Sequence, residues 1–180
     1  MKHLFLSLFL VFSINLPAQA MDLGPQVGET LPSFSLKDQN GDVQNFDSLK
    51  GENGLVIAFV RSADWCPYCQ RQLMGLNDYF TAFEKEDYPI IAISYDPIEK
   101  LHKFTLKNNI QYALLSDEGS ETIKKFGILN EEYPEGHFAH GVPHPAIYVI
   151  NNDGTIKAVY AEDGYTKRPN PKMILEDIRR

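Results

Sequence analysis

The chain has only two cysteines, Cys66 and Cys69, and they stand two residues apart in the stretch Ala63-Asp64-Trp65-Cys66-Pro67-Tyr68-Cys69-Gln70. Two thiols at that spacing can cycle between dithiol and disulfide, because a thiolate on one can be displaced by the other. Pro67 suits the first turn of a helix, where its missing N–H costs nothing. Cys66 is then expected at the helix N-terminus, beside unpaired backbone N–H groups and the positive end of the dipole, which favour a thiolate. On this reading Cys66 is the nucleophile and Cys69, one turn deeper, resolves the mixed disulfide formed on it. A structural disulfide and half of a zinc site are the plainer uses of such a pair. The first would constrain the unfolded chain little across so short a loop, and the second needs two more ligands.

The neighbouring sequence says what holds the pair. The run from Leu55 to Val60 is apolar and rich in β-branched residues, as in a buried strand. From Gln70 to Phe83 the residues Leu73, Leu76, Phe80 and Phe83 form one apolar stripe, which predicts a helix from Pro67 that fades near Glu86. The thiols therefore belong where a strand ends and a helix begins. Further on, Pro89 to Tyr95 reads as a strand. Asp96 is expected to cap a helix that opens with Pro97 and carries Leu101, Phe104 and Leu106. A short strand at Ala113–Leu115 and a short helix from Ser120 to Phe126, stopped by Gly127, follow. Strand, helix, strand, helix, strand implies parallel pairing with right-handed crossovers. Residues 131–144 are irregular and rich in Pro, Gly and His, which suggests a loop over the site. Pro145 to Ile150 is then a strand, Asn151 to Gly154 a hairpin turn, and Thr155 to Tyr160 the return strand. Pro171 opens a last helix with Met173, Ile174, Leu175 and Ile178. Ahead of all this, Phe34, Leu36, Asn40-Gly41 and Val43 predict a hairpin, closed by a turn at Ser48–Gly51.

Residues 1–20 read as a secretory signal: Lys2 and His3, an apolar stretch from Leu4 to Leu16, Pro17, and Ala18-Gln19-Ala20 as a cleavage site. An uncleaved anchor is the alternative, but thirteen apolar residues are too few to span a bilayer comfortably. The mature chain is expected to begin near Met21, as one domain over residues 21–180, and to work in the periplasm or outside the cell, where disulfides persist. The formal charge is −7, and loss of Lys2 with the signal leaves −8. With no basic patch, nucleic acid is excluded as a partner, and so is membrane insertion after cleavage.

The order of these elements, with Trp65-Cys66-Pro67-Tyr68-Cys69 after the first long strand, resembles the thioredoxin fold. More narrowly it resembles the redoxins, which include the alkyl hydroperoxide reductase/thiol-specific antioxidant family. Three stretches carry the resemblance: Leu31 to Leu36 with Asn40-Gly41 and Leu49-Lys50-Gly51; Asp64 to Leu73; and Pro145 to Ile156. It implies an α/β three-layer sandwich, a mixed central sheet flanked by helices, with an N-terminal β-hairpin. It also implies that Pro145 is the family's cis-proline facing the cysteines, with Pro143 the rival, and that Trp65, Pro67, His144 and Pro145 form the substrate surface. No cofactor is implied, because the dithiol is itself the redox group.

The chain departs from both patterns. Thioredoxins carry a buried acid six residues before the first cysteine, where Val60 stands here; the nearest acid, Asp64, reads as a solvated charge. Peroxiredoxins carry Pro seven before and Thr or Ser three before the peroxide-attacking cysteine. Those positions are Phe59 and Ala63 for Cys66, and Ser62 and Cys66 for Cys69, so neither cysteine satisfies the pattern. Arg168 resembles the peroxiredoxin arginine that steadies the thiolate, and a surface arginine is the plainer reading. Arg61 is an equal electropositive candidate near Cys66. His137, His140 and His144 crowd one loop. Three functions remain: a thiol–disulfide oxidoreductase with Cys66 as nucleophile, acting on a protein or small-molecule disulfide with a periplasmic electron donor; a thiol peroxidase; and a copper or zinc carrier using Cys66, Cys69 and His144. The first is the expected one.

Overall fold

A computed structural model describes residues 23–161 and 168–180. The proposed signal sequence lies outside the described residues. The chain forms a seven-stranded mixed sheet in the order β2-β1-β5-β4-β3-β6-β7. Its centre is β3 (Gly54–Phe59), β4 (Ile90–Ser94) and β5 (Ala113–Ser116), all parallel, with β6 (Ala146–Asn151) and β7 (Ile156–Ala161) added antiparallel at one side. At the other side, β5 pairs with the N-terminal hairpin of β1 (Leu36–Asp38) and β2 (Val43–Gln44).

Every residue of β3 is buried, because both faces of the sheet are covered and the strand has no need of polar alternation. Val56, Ala58 and Val60 face a layer made by α2 (Pro67–Asp78), α3 (Phe80–Lys85), α4 (Ile98–Asn108) and α6 (Pro171–Ile178), packing with Leu73, Leu76, Phe83, Leu101 and Ile174. Leu55, Ile57 and Phe59 face the other layer, with Phe126 beside α5 (Glu121–Lys125) and the N-terminal Leu31 and Phe34. Each such apolar side chain contributes roughly 1.5–3 kcal/mol of burial. The expected three-layer sandwich with an N-terminal hairpin is therefore the observed one.

Three local expectations differ. The segment after the hairpin is not a simple turn but a helical turn, α1 (Phe46–Leu49), started by a capping box between Asn45 and Ser48. The helix after the cysteines is not continuous: it breaks at Tyr79, which closes α2 and opens α3. Asp96 does not cap α4. The N-cap is Pro97, with no side-chain capping bond, and the Asp96 carboxylate turns inward instead.

The parallel strands β3 and β4 end on the same edge of the sheet. The turn 60–66 leaves β3 there, and Asp96 leaves β4 beside it. That edge, outside the carboxyl ends of parallel strands, is where open α/β sheets place their chemistry.

Candidate active site

Cys66 is the N-cap residue of α2, and its Sγ accepts the backbone N–H of Cys69 at 3.3 Å. Pro67 is the exposed first residue of the helix, as its type predicts. Both cysteines are free thiols and both are buried, Cys66 2% and Cys69 0% exposed. The two thiols are close enough for each to shift the other's ionisation. They face each other across one helical turn, as two groups that must form a bond should.

The groups that favour a charge gather beside the other sulfur from the expected one. Cys69 receives the Cys66 thiol as its strongest donor, and also the backbone N–H of Ser62 and the Arg168 guanidinium, whose Nη2 lies 3.7 Å from Sγ. Together they outweigh burial and hold the Cys69 thiol down to about 6. Cys66 is pushed far up, first by serving as donor to Cys69 and then by burial, although Arg61 opposes this. The helix-terminal N–H that favours a Cys66 thiolate is present, and the Arg168 guanidinium stands against it on the Cys69 side. A pair of thiols this close titrates as a unit, and the cation beside Cys69 favours the charge on that sulfur.

The turn that presents the Ser62 N–H is clamped from below by Asp96. Its carboxylate is 3% exposed and accepts Ser62 Oγ–H at 2.7 Å, the Ala63 N–H at 2.6 Å and Ser94 Oγ–H at 2.8 Å. Ser62 Oγ in turn accepts the N–H groups of Asp64 and Trp65. Burial raises the Asp96 pKa above the usual carboxylate range, and these three donors work against it. This acid comes from β4, not from position 60 of β3. Asp64, by contrast, lies at the surface and pairs with Lys100 at 2.9 Å, as expected of a solvated charge.

On the Cys66 side the surroundings are aromatic. Arg61 is buried; its guanidinium lies 5.1 Å from the Trp65 ring centroid and 5.2 Å from that of Tyr133, and Nη2 donates to Tyr133 Oη at 3.0 Å. Trp65 Nε1 donates to Tyr95 Oη at 2.8 Å, and that hydroxyl donates to the Phe138 carbonyl at 3.0 Å. The Trp65 and Phe138 rings meet edge to face at 5.1 Å. Residues 131–144 thus do lie over the site, held through Tyr133 and Phe138, neither of which sequence reasoning singled out. The loop is closed at Gly141, whose φ of +94° suits glycine and where a Cβ would stand 2.6 Å from Ser120 Oγ.

Several expected roles are not met. All peptide bonds among the described residues are trans, so Pro145 is not a cis-proline, and neither is Pro143. The trans state is the ordinary preference of X–Pro bonds. Pro145 stands directly before β6, whose Ala146 pairs with Phe59 at the end of β3. His144 contributes its backbone N–H to the Ile128 carbonyl, and burial lowers the pKa of its imidazole, favouring the neutral ring. His140 Nδ1 contacts the Tyr133 carbonyl, and His137 Nδ1 accepts the Ala139 N–H. Among the described residues no three His, Cys, Asp or Glu side chains converge on a metal position, so the set Cys66, Cys69 and His144 is not assembled.

The model of one protein family, AhpC/TSA, matches residues 27–159. The chain belongs to the AhpC/TSA family. It is 32% identical over 135 residues to Peroxiredoxin Bcp of Escherichia coli (strain K12), covering 75% of this chain and 85% of that one. It is 30% identical over 133 residues to the chloroplastic Peroxiredoxin Q of Sedum lineare, covering 74% and 67%. Among solved structures it is similar in fold to Peroxidoxin BcpB from Mycobacterium tuberculosis, with a TM-score of 0.74 at 23% identity over 87% of this chain and 97% of that one. The protein is thus a thiol-dependent oxidoreductase of the peroxiredoxin-like redoxins.

Proposed function

We propose that the protein is a thiol peroxidase in which Cys69 is the attacking thiolate and Cys66 the resolving thiol, the reverse of the order expected from sequence. The observation that carries this is the Arg168 guanidinium, whose Nη2 lies 3.7 Å from Cys69 Sγ, on the side where the Cys66 thiol and the Ser62 backbone also favour the charge. Burial supports it too. A hydroperoxide needs only a narrow path to reach the pair, whose residues are 2% and 0% exposed.

Cys69 Sγ⁻ attacks the distal oxygen of ROOH. The S–O bond forms, the O–O bond breaks, and RO⁻ leaves with a proton as ROH. The Arg168 guanidinium stabilises the negative charge as it passes from sulfur to oxygen. Cys66 Sγ then attacks the sulfenic sulfur of Cys69, releasing water and forming the Cys66–Cys69 disulfide. The two cysteines lie one helical turn apart at the start of α2, so the step joins near neighbours. A dithiol reductant attacks Cys66, the sulfur nearer the surface, flanked by half-exposed Trp65 and exposed Pro67, and exchange returns both thiols.

Rapid mixing of the reduced protein with hydrogen peroxide and with cumene hydroperoxide tests this. Saturable consumption of one peroxide per chain, ending in a Cys66–Cys69 disulfide, is expected. Slow, unsaturable consumption beside fast reduction of insulin would overturn it in favour of the disulfide reductase first expected, which Cys66 at the helix start supports. We further propose export, with cleavage near Ala20 and a reductant outside the cytoplasm. Mass determination of the protein recovered from cell fractions checks this, and an intact Met1 in the cytosol would contradict it.

A further inference from the structure

Beside the cysteines the first helix of the site meets the segment that enters the last one. Tyr68, Arg71, Gln72 and Gly75, one stripe of α2 at helical spacing, face Arg168 to Pro171 across a cavity of about 460 Å³. That is far more than a hydrogen peroxide molecule needs and falls in the range of sites for small organic ligands. Among the described residues no carboxylate lines it. Arg168, on its wall, is already engaged with Cys69 Sγ. Arg71 is not so engaged: its guanidinium is stacked 4.6 Å from the centroid of the Tyr68 ring and forms no ion pair with a described residue. The cavity also borders the start of the eight-residue helix α6, which has no acid in its first turn, so the helix dipole adds to the positive field. In a chain of net charge −7 this cationic pocket is a local inversion of sign. Gln72, in the same wall and 8% exposed, keeps a buried amide oxygen without a hydrogen-bond partner, an acceptor for a ligand O–H.

Resting on the peroxidase reading, we propose that this cavity is a subsite for the carboxylate of an organic hydroperoxide. Arg71 grips the carboxylate, the Tyr68, Pro169 and Pro171 side chains cover the carbon frame, and Arg168 links the pocket to the Cys69 sulfur. Guanidinium suits the task because its planar donors match a carboxylate two at a time.

The test compares two hydroperoxides with the same reacting group: cumene hydroperoxide carrying a para-carboxylate, and its methyl ester. Dithiothreitol, which has no carboxylate, serves as reductant, and hydrogen peroxide is run alongside. The acid is expected to exceed the ester about tenfold in kcat/KM, the order a charge-assisted pair contributes. Salt should shrink that ratio. Arg71→Gln should bring it close to one, with Arg71→Lys between. In a second arm, glutathione replaces dithiothreitol. An Arg71-dependent advantage confined to glutathione would assign the pocket to a carboxylate-bearing thiol and overturn the hydroperoxide assignment. A protein that consumes hydrogen peroxide but treats acid and ester alike, or keeps its preference in Arg71→Gln, overturns the subsite alone. One that consumes no peroxide overturns the peroxidase reading and the subsite with it.

Discussion

The two sulfurs are three residues apart on one helix, yet they look into different chemistry. Around Cys69 the influences are donors and a cation: the Cys66 thiol, the Ser62 backbone and Arg168, which also lines the pocket holding Arg71. Around Cys66 they are aromatic: Trp65, with Phe138 and Tyr133 behind it and Arg61 held between rings. A cationic, donor-rich wall stabilises a thiolate and the oxyanion leaving it. An aromatic rim suits docking of another surface. The difference teaches that the helix start is not the only place in a CxxC pair where surroundings can favour a thiolate. The helix terminus provides one donor, and side chains brought from elsewhere can outbid it.

The comparison can be broken most sharply at the sulfurs. Cys69→Ser should abolish peroxide consumption, a loss of roughly 10³-fold or more. Cys66→Ser should keep the first turnover, because a serine hydroxyl can still donate to the Cys69 thiolate, but should leave a sulfenic acid that dimedone traps. Single-turnover kinetics and mass spectrometry of the two variants check this, and the opposite pattern returns the nucleophile to Cys66.

Next in size is the cation. Arg168→Ala is expected to slow the peroxide step about 10²-fold, as loss of one preorganised charge-stabilising group does. It should also raise the pH at which Cys69 ionises. Arg61→Ala, on the aromatic side, should move neither quantity as far. Rate against pH for both variants reads the contrast.

The clamp beneath the turn comes third. Asp96→Asn retains shape but replaces an acceptor oxygen with a donor facing the Ala63 N–H or the serine hydroxyls. A cost of about 1–3 kcal/mol in unfolding free energy is expected. The Cys69 thiol should ionise at higher pH, because the Ser62 N–H is no longer held on target. Denaturant unfolding beside thiolate titration checks both; a fall in stability with an unchanged thiol would limit Asp96 to packing.

Smallest is the aromatic rim. Phe138 is 70% exposed, so Phe138→Ala should scarcely affect folding. It should slow reduction by a protein dithiol about fivefold, within the range of a modest interface contact, with little change in the peroxide step. Equal slowing with dithiothreitol would deny the rim a docking role.

What could be read from the sequence follows the range of the interactions involved. The strands β3, β4 and β6 are continuous apolar runs between turn residues, a local signal, and they fell where expected. So did the position of the cysteines at a strand-to-helix junction, because Pro67 and the Leu73/Leu76 stripe are close by. Asp96 was misread because an acid before Pro97 looks the same whether it caps the helix or turns under the neighbouring strand. Only the pairing of β4 with β3 brings it to Ser62. Cys66 and Ser62, close in sequence, favour the charge on Cys69, but so does Arg168, 99 residues away, and no spacing rule near the cysteines contains that part. Pro145 was placed by its strand, but its peptide bond isomer is a tertiary matter. The Tyr133 and Phe138 contacts belong to an irregular loop, where neither helical nor strand periodicity offers a guide.

The central claim is that Cys69 carries the charge. Thiolate absorbance titrated between pH 4 and 10, in wild type, Cys66→Ser and Cys69→Ser, measures it directly. Since the folded pKa lies below that of a free thiol, the Cys69 charge contributes stability above the ordinary thiol pKa and loses it as pH falls through about 6. The account predicts one thiolate appearing near pH 6 in wild type, persisting in Cys66→Ser and missing in Cys69→Ser. A low-pH thiolate that survives in Cys69→Ser and vanishes in Cys66→Ser would contradict it.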